Sequence, residues 1–121
     1  MGRNWYARPI LYVADLERAL AFYTGKLGFT ESWRFDEEGR TQVAQVERLG
    51  CDIIFSCQDH MKAGPGRIFI SLDPDVLDAV RHEYEGKGIG IRDGQWGYVT
   101  MIVADPDGNE LYFPYSSGGQ A

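Results

Sequence analysis

Apolar and polar positions along the chain follow two rhythms, and the order of those rhythms repeats. "RPILYV", residues 8–13, alternates as a strand does. After Asp15, which suits a helix N-cap, Leu16, Ala19, Leu20, Tyr23 and Leu27 fall at helical spacing, and Gly25 and Gly28 close the segment. Three strand candidates follow, "FTESWRF", "TQVAQVERL" and "CDIIFSC", with "DEEGR" as the turn between the first two. "QDHMKAGPG" then breaks the pattern. Beyond it the order starts again. A strand "RIFISL" leads into a helix opened by Asp73 and Pro74 and carried by Val76, Leu77, Val80 and Tyr84 to "EGKG". Strands "GIRDG", "YVTMIVA" and "ELYFPY" complete the chain, so the order is βαβββ twice.

The repeat extends to individual residues. Arg8-Pro-Ile-Leu recurs as Arg67-Ile-Phe-Ile, Gly28-Phe as Gly88-Ile, and Gly50-Cys-Asp-Ile-Ile-Phe as Gly108-Asn-Glu-Leu-Tyr-Phe, in the same order and at near-constant separation. The pattern predicts an α+β fold in a single domain over 1–121. Its first module spans about 6–57, a linker about 58–66, the second module about 67–115, and a flexible tail 116–121.

Each helix must bury its apolar stripe on one sheet face, and side chains alternate along a strand. Pro9, Leu11 and Val13 therefore take the helix side of the first strand, leaving Arg8, Ile10 and Tyr12 on the other. The same division leaves Asp52, Ile54 and Ser56 in "CDIIFS", Arg67, Phe69 and Ser71 in "RIFISL", and Glu110, Tyr112 and Pro114 in "ELYFP". Two readings of this second set stay open. Arg8 and Arg67 could pair with Asp52 and Glu110 on an ordinary exposed sheet face. Alternatively, the set lines a concave ligand pocket, which its aromatic content favours.

The segment "ADPDGNE" joins the last two strands. Asp105, Asp107, Asn109 and Glu110 are all oxygen donors, which raises the question of a calcium loop. An EF-hand loop carries glycine sixth and a bidentate Glu twelfth, between helices. Counted from Asp105, Gly108 comes fourth and Ser116 twelfth, and strands flank the segment. Pro106 presets φ for the first central position, while Gly108 and Asn109 tolerate positive φ, so a hairpin turn is expected.

Composition narrows the function classes. Eighteen acids against 12 bases give a formal charge of −6, without the basic stripe that nucleic acid requires. The same surplus would attract a cationic ligand. No stretch has the length of a membrane span, and the first residues lack a signal-like apolar segment, so a cytoplasmic protein is expected. Cys51 and Cys57 lack metal or redox spacing and read as reduced thiols. His60 and His82, the only histidines, read as solvated or half-packed.

With "PILYVADLERALAFYTGKLGF" and "WGYVTMIVADPDGNELYF" on either side of the repeat boundary, the chain resembles the vicinal oxygen chelate superfamily, also called the glyoxalase, bleomycin resistance protein and dioxygenase superfamily. The resemblance covers nearly the whole chain. It implies two βαβββ modules forming a curved mixed sheet around a shared cavity, and a homodimer. Metal-using members hold one divalent ion through His and Glu side chains on four strands. Carried over by position, those ligands become Arg8, Ile54, Arg67 and Tyr112, none of which suits a cation. A displaced site at Asp52 and Glu110 would leave two carboxylates beside two guanidinium groups.

The expected function is therefore metal-free and cofactor-free binding of a small molecule. It resembles the bleomycin resistance proteins, which sequester an antibiotic in a dimer groove. The expected ligand is an antibiotic or an aromatic or cationic metabolite, and neither nucleic acid nor membrane is an expected partner. The candidate contacts are Arg8, Tyr12, Trp33, Asp52, Ile54, Arg67, Phe69, Trp96, Tyr98, Glu110 and Tyr112. "SWRF" and "WGYV" set Trp33 and Trp96 beside polar or turn residues, where their N–H donors need partners. The guanidinium forks of Arg8 and Arg67 favour an anionic group on the ligand. The alternative is a lyase or isomerase of small oxygenated molecules with Glu110 or Asp52 as general base.

Overall fold

A computed structural model describes residues 6–59, 62–95 and 99–115 of the chain; Trp96, Tyr98, His60 and the expected tail lie outside them. The first module runs β1 (Ile10–Tyr12), α1 (Leu16–Gly25), β2 (Thr30–Glu37), β3 (Arg40–Arg48) and β4 (Cys51–Ser56). The second repeats it as β5 (Arg67–Phe69), α2 (Pro74–Gly86), β6 (Arg92–Gln95), β7 (Val99–Ala104) and β8 (Glu110–Pro114). Each module makes a four-stranded mixed sheet, ordered β1-β4-β3-β2 and β5-β8-β7-β6. In both, the short first strand pairs parallel to the last and the other pairings are antiparallel.

The helices form for the reasons the sequence gives. Asp15 sits in extended conformation and its carboxylate accepts the Arg18 N–H at 3.1 Å, capping α1, which buries Leu16, Ala19, Leu20 and Tyr23. α2 starts with Pro74 in its first turn, but Asp73 makes no side-chain cap bond. The missing bond is worth about 1 kcal/mol. Burial of Leu77, Val80 and Tyr84 outweighs it, since each fully buried large apolar side chain contributes about 1.5–3 kcal/mol. "RIFISL" is a strand only over Arg67–Phe69, although Ile70 N–H still donates to the Tyr112 carbonyl at 2.8 Å.

The modules share one core, in which Leu11, Ile53 and Phe55 belong to the same apolar cluster as Met101, Leu111 and Phe113. Polar groups lock the junction at two places. At the first, Arg48 donates to the Leu27 carbonyl at 2.6 Å and to both Glu83 oxygens at 2.8 and 3.0 Å, and the Tyr84 hydroxyl also donates to Leu27 O at 2.7 Å. Burial pushes the Tyr84 phenol up to about 12, so it keeps the proton it donates.

The second lock is the "DPDGN" segment. It makes the expected turn: Asp105 and Asn109 pair through the main chain at 2.8 Å, and the Asp105 carboxylate accepts the N–H groups of Asp107 and Asn109 at 2.8 and 2.9 Å. It also clasps the other module. Asp107 Oδ1 accepts Ala14 N–H at 3.1 Å and Arg18 at 2.9 Å, and the Tyr23 hydroxyl donates to Asp105 Oδ2 at 3.0 Å. Asn109 donates to the Tyr12 carbonyl at 3.2 Å and accepts Gly66 N–H at 2.6 Å. Burial, then the Asp105 charge, drives the Tyr23 phenol far above its ordinary range and keeps it a donor. Gly64 passes so close to the Asp107 carbonyl, at φ +45°, that a β-carbon there would collide with it. Among the described residues, no helix is long and apolar enough to cross a membrane.

Candidate functional site

The faces turned away from the helices carry the sequence-predicted residues that lie among the described ones, and strand register fixes their neighbours. In module one, Ile10, Ile54, Gln45 and Trp33 lie in one row across β1, β4, β3 and β2. Tyr12, Ser56, Val43 and Phe35 form the next row. Because β2 is bulged between Glu31 and Trp33 and again between Phe35 and Asp36, strict alternation along that strand fails. A hollow of about 420 Å³ lies over this face, lined by Ile10, Tyr12, Trp33, Val43, Ile54 and Ser56 among others.

Gln45 is the centre of the module-one face. It is buried, and its Oε1 accepts from Arg8 at 2.8 Å and from the Trp33 indole at 3.0 Å, while its Nε2 lies 3.4 Å from Asp52. Asp52 also accepts the Tyr6 hydroxyl. Of the two readings left open for Arg8, pairing with Asp52 gives way to an amide that accepts from both Arg8 and Trp33. Sequence reasoning missed Gln45 because faces were assigned only to the first and last strands of each module. Extending the alternation to "TQVAQVERL" puts Val43, Gln45 and Glu47 on one face and would have found it.

The equivalent row in module two is Phe69, Tyr112, Ile102 and Arg92, and the row beside it holds Arg67, Glu110 and Ala104. Glu110 Oε2 accepts from Arg92 at 2.9 Å; Oε1 accepts the Tyr112 hydroxyl at 3.0 Å and lies 3.7 Å from Arg67 Nε. The Arg67 guanidinium stands over the Tyr112 ring, 6.0 Å from its centroid. The Arg92 hydrogen bond, followed by that of Tyr112 and the charges of Arg92 and Arg67, holds the Glu110 carboxyl below its usual range despite some desolvation. Arg92 was also missed: the expected strand "GIRDG" is observed two residues later at its start, as the four-residue β6 Arg92–Gln95, whose register is set by β7.

Phe69 is 41% exposed, Trp33 40% and Ile10 53%, so these are surface groups of the two faces, whereas Tyr112 is buried. Trp96 and Tyr98 lie outside the described residues. The positions where the resemblance places metal ligands do not fit an ion. Arg8 and Arg67 are cationic, Ile54 has no donor atom, and the Tyr112 hydroxyl is committed to Glu110. Asp52 and Glu110 belong to different sheets, each with its own donors. Among the described residues, no three His, Cys, Asp or Glu side chains are grouped to hold a metal. Cys51 and Cys57 are free and half-buried, and His82 is exposed on α2.

The chain belongs to the glyoxalase/bleomycin resistance protein/dioxygenase superfamily, whose profile matches residues 4–113. A search of curated protein sequences gave no match. Several solved structures share the fold. The bleomycin-binding protein of Streptomyces verticillus, solved with copper(II)-bleomycin, superposes with a TM-score of 0.73 at 22% identity, covering 97% of this chain and 100% of that one. Lactoylglutathione lyase from Agrobacterium tumefaciens gives 0.70 at 18% identity, with 92% and 93% covered. An antibiotic-binding protein from Streptomyces sp. CB03234 gives 0.69 at 18%, with 96% and 100% covered. One fold thus carries both drug binding and lyase chemistry, and the choice for this chain rests on its own side chains.

Proposed function

We propose that this protein binds a small organic molecule without a metal ion, using the two open sheet faces as its recognition surface, and sequesters the ligand instead of transforming it. One observation carries the reading: the hollow of about 420 Å³ over module one presents Ile10, Trp33 and Tyr12 to solvent, as a site for an aromatic body requires. An antibiotic with a flat ring system fits that description, in keeping with the drug-binding relatives. Ile10, Trp33 and Phe35 on one sheet and Phe69 on the other are exposed large apolar side chains, the kind of surface that contact sites use. A second copy of the chain covers them in the assembly we envisage, with the ligand in the groove between. Free Cys51 and Cys57 suit a reducing compartment such as the cytoplasm.

The lyase or isomerase alternative needs a general base, and Glu110 is poorly disposed for it. Its carboxylate is held ionised by Arg92 and hydrogen-bonded by Tyr112, which lowers its proton affinity. Titrating tryptophan emission with planar aromatic antibiotics tests the proposal. Saturable quenching should survive dialysis against EDTA and weaken about tenfold or more in Trp33→Ala. Binding that is lost on EDTA treatment and restored by a divalent ion would overturn the metal-free reading. Flat titrations across the panel would overturn the groove itself.

A further inference from the structure

The two faces differ in charge. On module one, Arg8 donates to the neutral Gln45, and the carboxylates Glu47 and Asp52 occupy facing positions on β3 and β4. On module two, Arg67 and Arg92 share a single acid: among the described residues, Glu110 is the one carboxylate with which either forms an ion pair. Arg92 and Tyr112 already donate to that carboxylate, and Arg67 remains 3.7 Å away, beyond hydrogen-bonding range, with 66% of its side chain exposed. A local surplus of one positive charge therefore sits on the exposed face of a protein whose formal charge is −6.

Resting on the binding function proposed above, we infer that the ligand is an organic monoanion, a carboxylate on an apolar or aromatic body, with the carboxylate docked on Arg67 and Arg92. The row that holds Arg92 also holds Phe69, exposed and apolar, and the neighbouring row holds Arg67. An anionic group bridging the two guanidinium groups thus leaves its apolar body over Phe69. A single negative charge matches the surplus of one, and the planar carboxylate matches the guanidinium fork. A dianion would overshoot that surplus within reach of Glu110. A cation would meet two guanidinium groups whose one counter-charge is already satisfied. Although the acidic surface favours a cationic ligand over long distances, screening limits that field to about 8–10 Å, whereas the arginines act at contact.

Calorimetric titration of the intact protein with four matched probes tests the inference: 2-naphthoate, 2-naphthamide, 2-naphthylmethylammonium and 2-naphthyl phosphate. The carboxylate should bind at least tenfold more tightly than the amide, and more weakly as KCl is raised. Arg67→Gln should weaken carboxylate binding about tenfold and amide binding much less, collapsing the preference, with the melting temperature unchanged, since Arg67 is exposed and outside hydrogen-bond distance of Glu110. Equal affinities for carboxylate and amide, or tightest binding of the ammonium, would overturn the anion inference while leaving the groove intact. Preference for the phosphate would overturn the single-charge match. Absence of saturable binding by all four would overturn both the inference and the binding function beneath it.

Discussion

The two sheet faces start from the same plan and arrive at different chemistry. Arg8 and Arg67 occupy equivalent positions, as do Asp52 and Glu110, and Ile54 and Tyr112. What separates the faces is the strands that flank those pairs. Module one supplies Gln45, a neutral acceptor that ties Arg8 and Trp33 together. Module two has Ile102 in its place and Arg92 where Trp33 would be. An amide and an indole therefore make one face aromatic and charge-quenched, while an alkyl group and a guanidinium make the other cationic. The two modules thus diverge on β2 and β3 against β6 and β7, whereas the arginine and the carboxylate recur in the segments of β1 and β4, and of β5 and β8.

That contrast depends on both faces being held rigidly, and the largest effect is expected where the junction is broken. Asp105→Ala removes the acceptor for Tyr23 and for both Asn109 donors and should cost about 2–4 kcal/mol in urea denaturation, with no direct contact to either face lost. A midpoint shift under about 0.5 kcal/mol would mean that the clasp is ornamental. Gln45→Leu should cost about 0.5–1.5 kcal/mol by the same assay, because it removes the acceptor shared by the Trp33 N–H and the Arg8 guanidinium. It should also narrow the contrast, since Arg8 is then released onto an apolar face; retention of wild-type stability and Trp33 emission would argue that the amide organises nothing.

The smallest effect expected is electrostatic. The Glu110 carboxyl titrates below its ordinary 4.5 in the folded chain. Its stabilising contribution is therefore complete above that ordinary value and is lost as pH falls through the depressed one. Carboxyl-carbon NMR should show Glu110 still ionised when solvent-exposed glutamates have protonated. Arg92→Gln should move it up towards 4.5, and Tyr112→Phe should move it in the same direction by less. An unchanged Glu110 titration in Arg92→Gln would dissolve the proposed difference between the faces.

Much of this organisation was legible in the sequence, because period-two alternation and the repeat assign Arg8, Ile10, Tyr12, Ile54, Arg67, Phe69, Glu110 and Tyr112 to their faces without knowledge of register. Gln45 and Arg92 escaped for different reasons. Gln45 follows from alternation alone once its strand is included. Arg92 sits in a glycine-flanked strand too short to declare its own pleat, and its neighbours are known only from its pairing with β7. The reading in which Arg8 pairs with Asp52, one of the two left open, neglected Gln45 as a competing acceptor on β3. The role of "DPDGN" as a clasp was invisible for a deeper reason: local spacing announces a turn, but the atoms that turn grips lie some ninety residues earlier.

Several of those gripped atoms are main-chain groups, the Ala14 amide and the Tyr12 carbonyl. A latch that reads backbone is indifferent to which side chains decorate the strand it holds. Side-chain replacements at Arg8, Ile10 or Tyr12 therefore leave these main-chain hydrogen bonds their partners. On the binding function proposed above, such a joint lets point substitution change the ligand while the clasp between the halves persists.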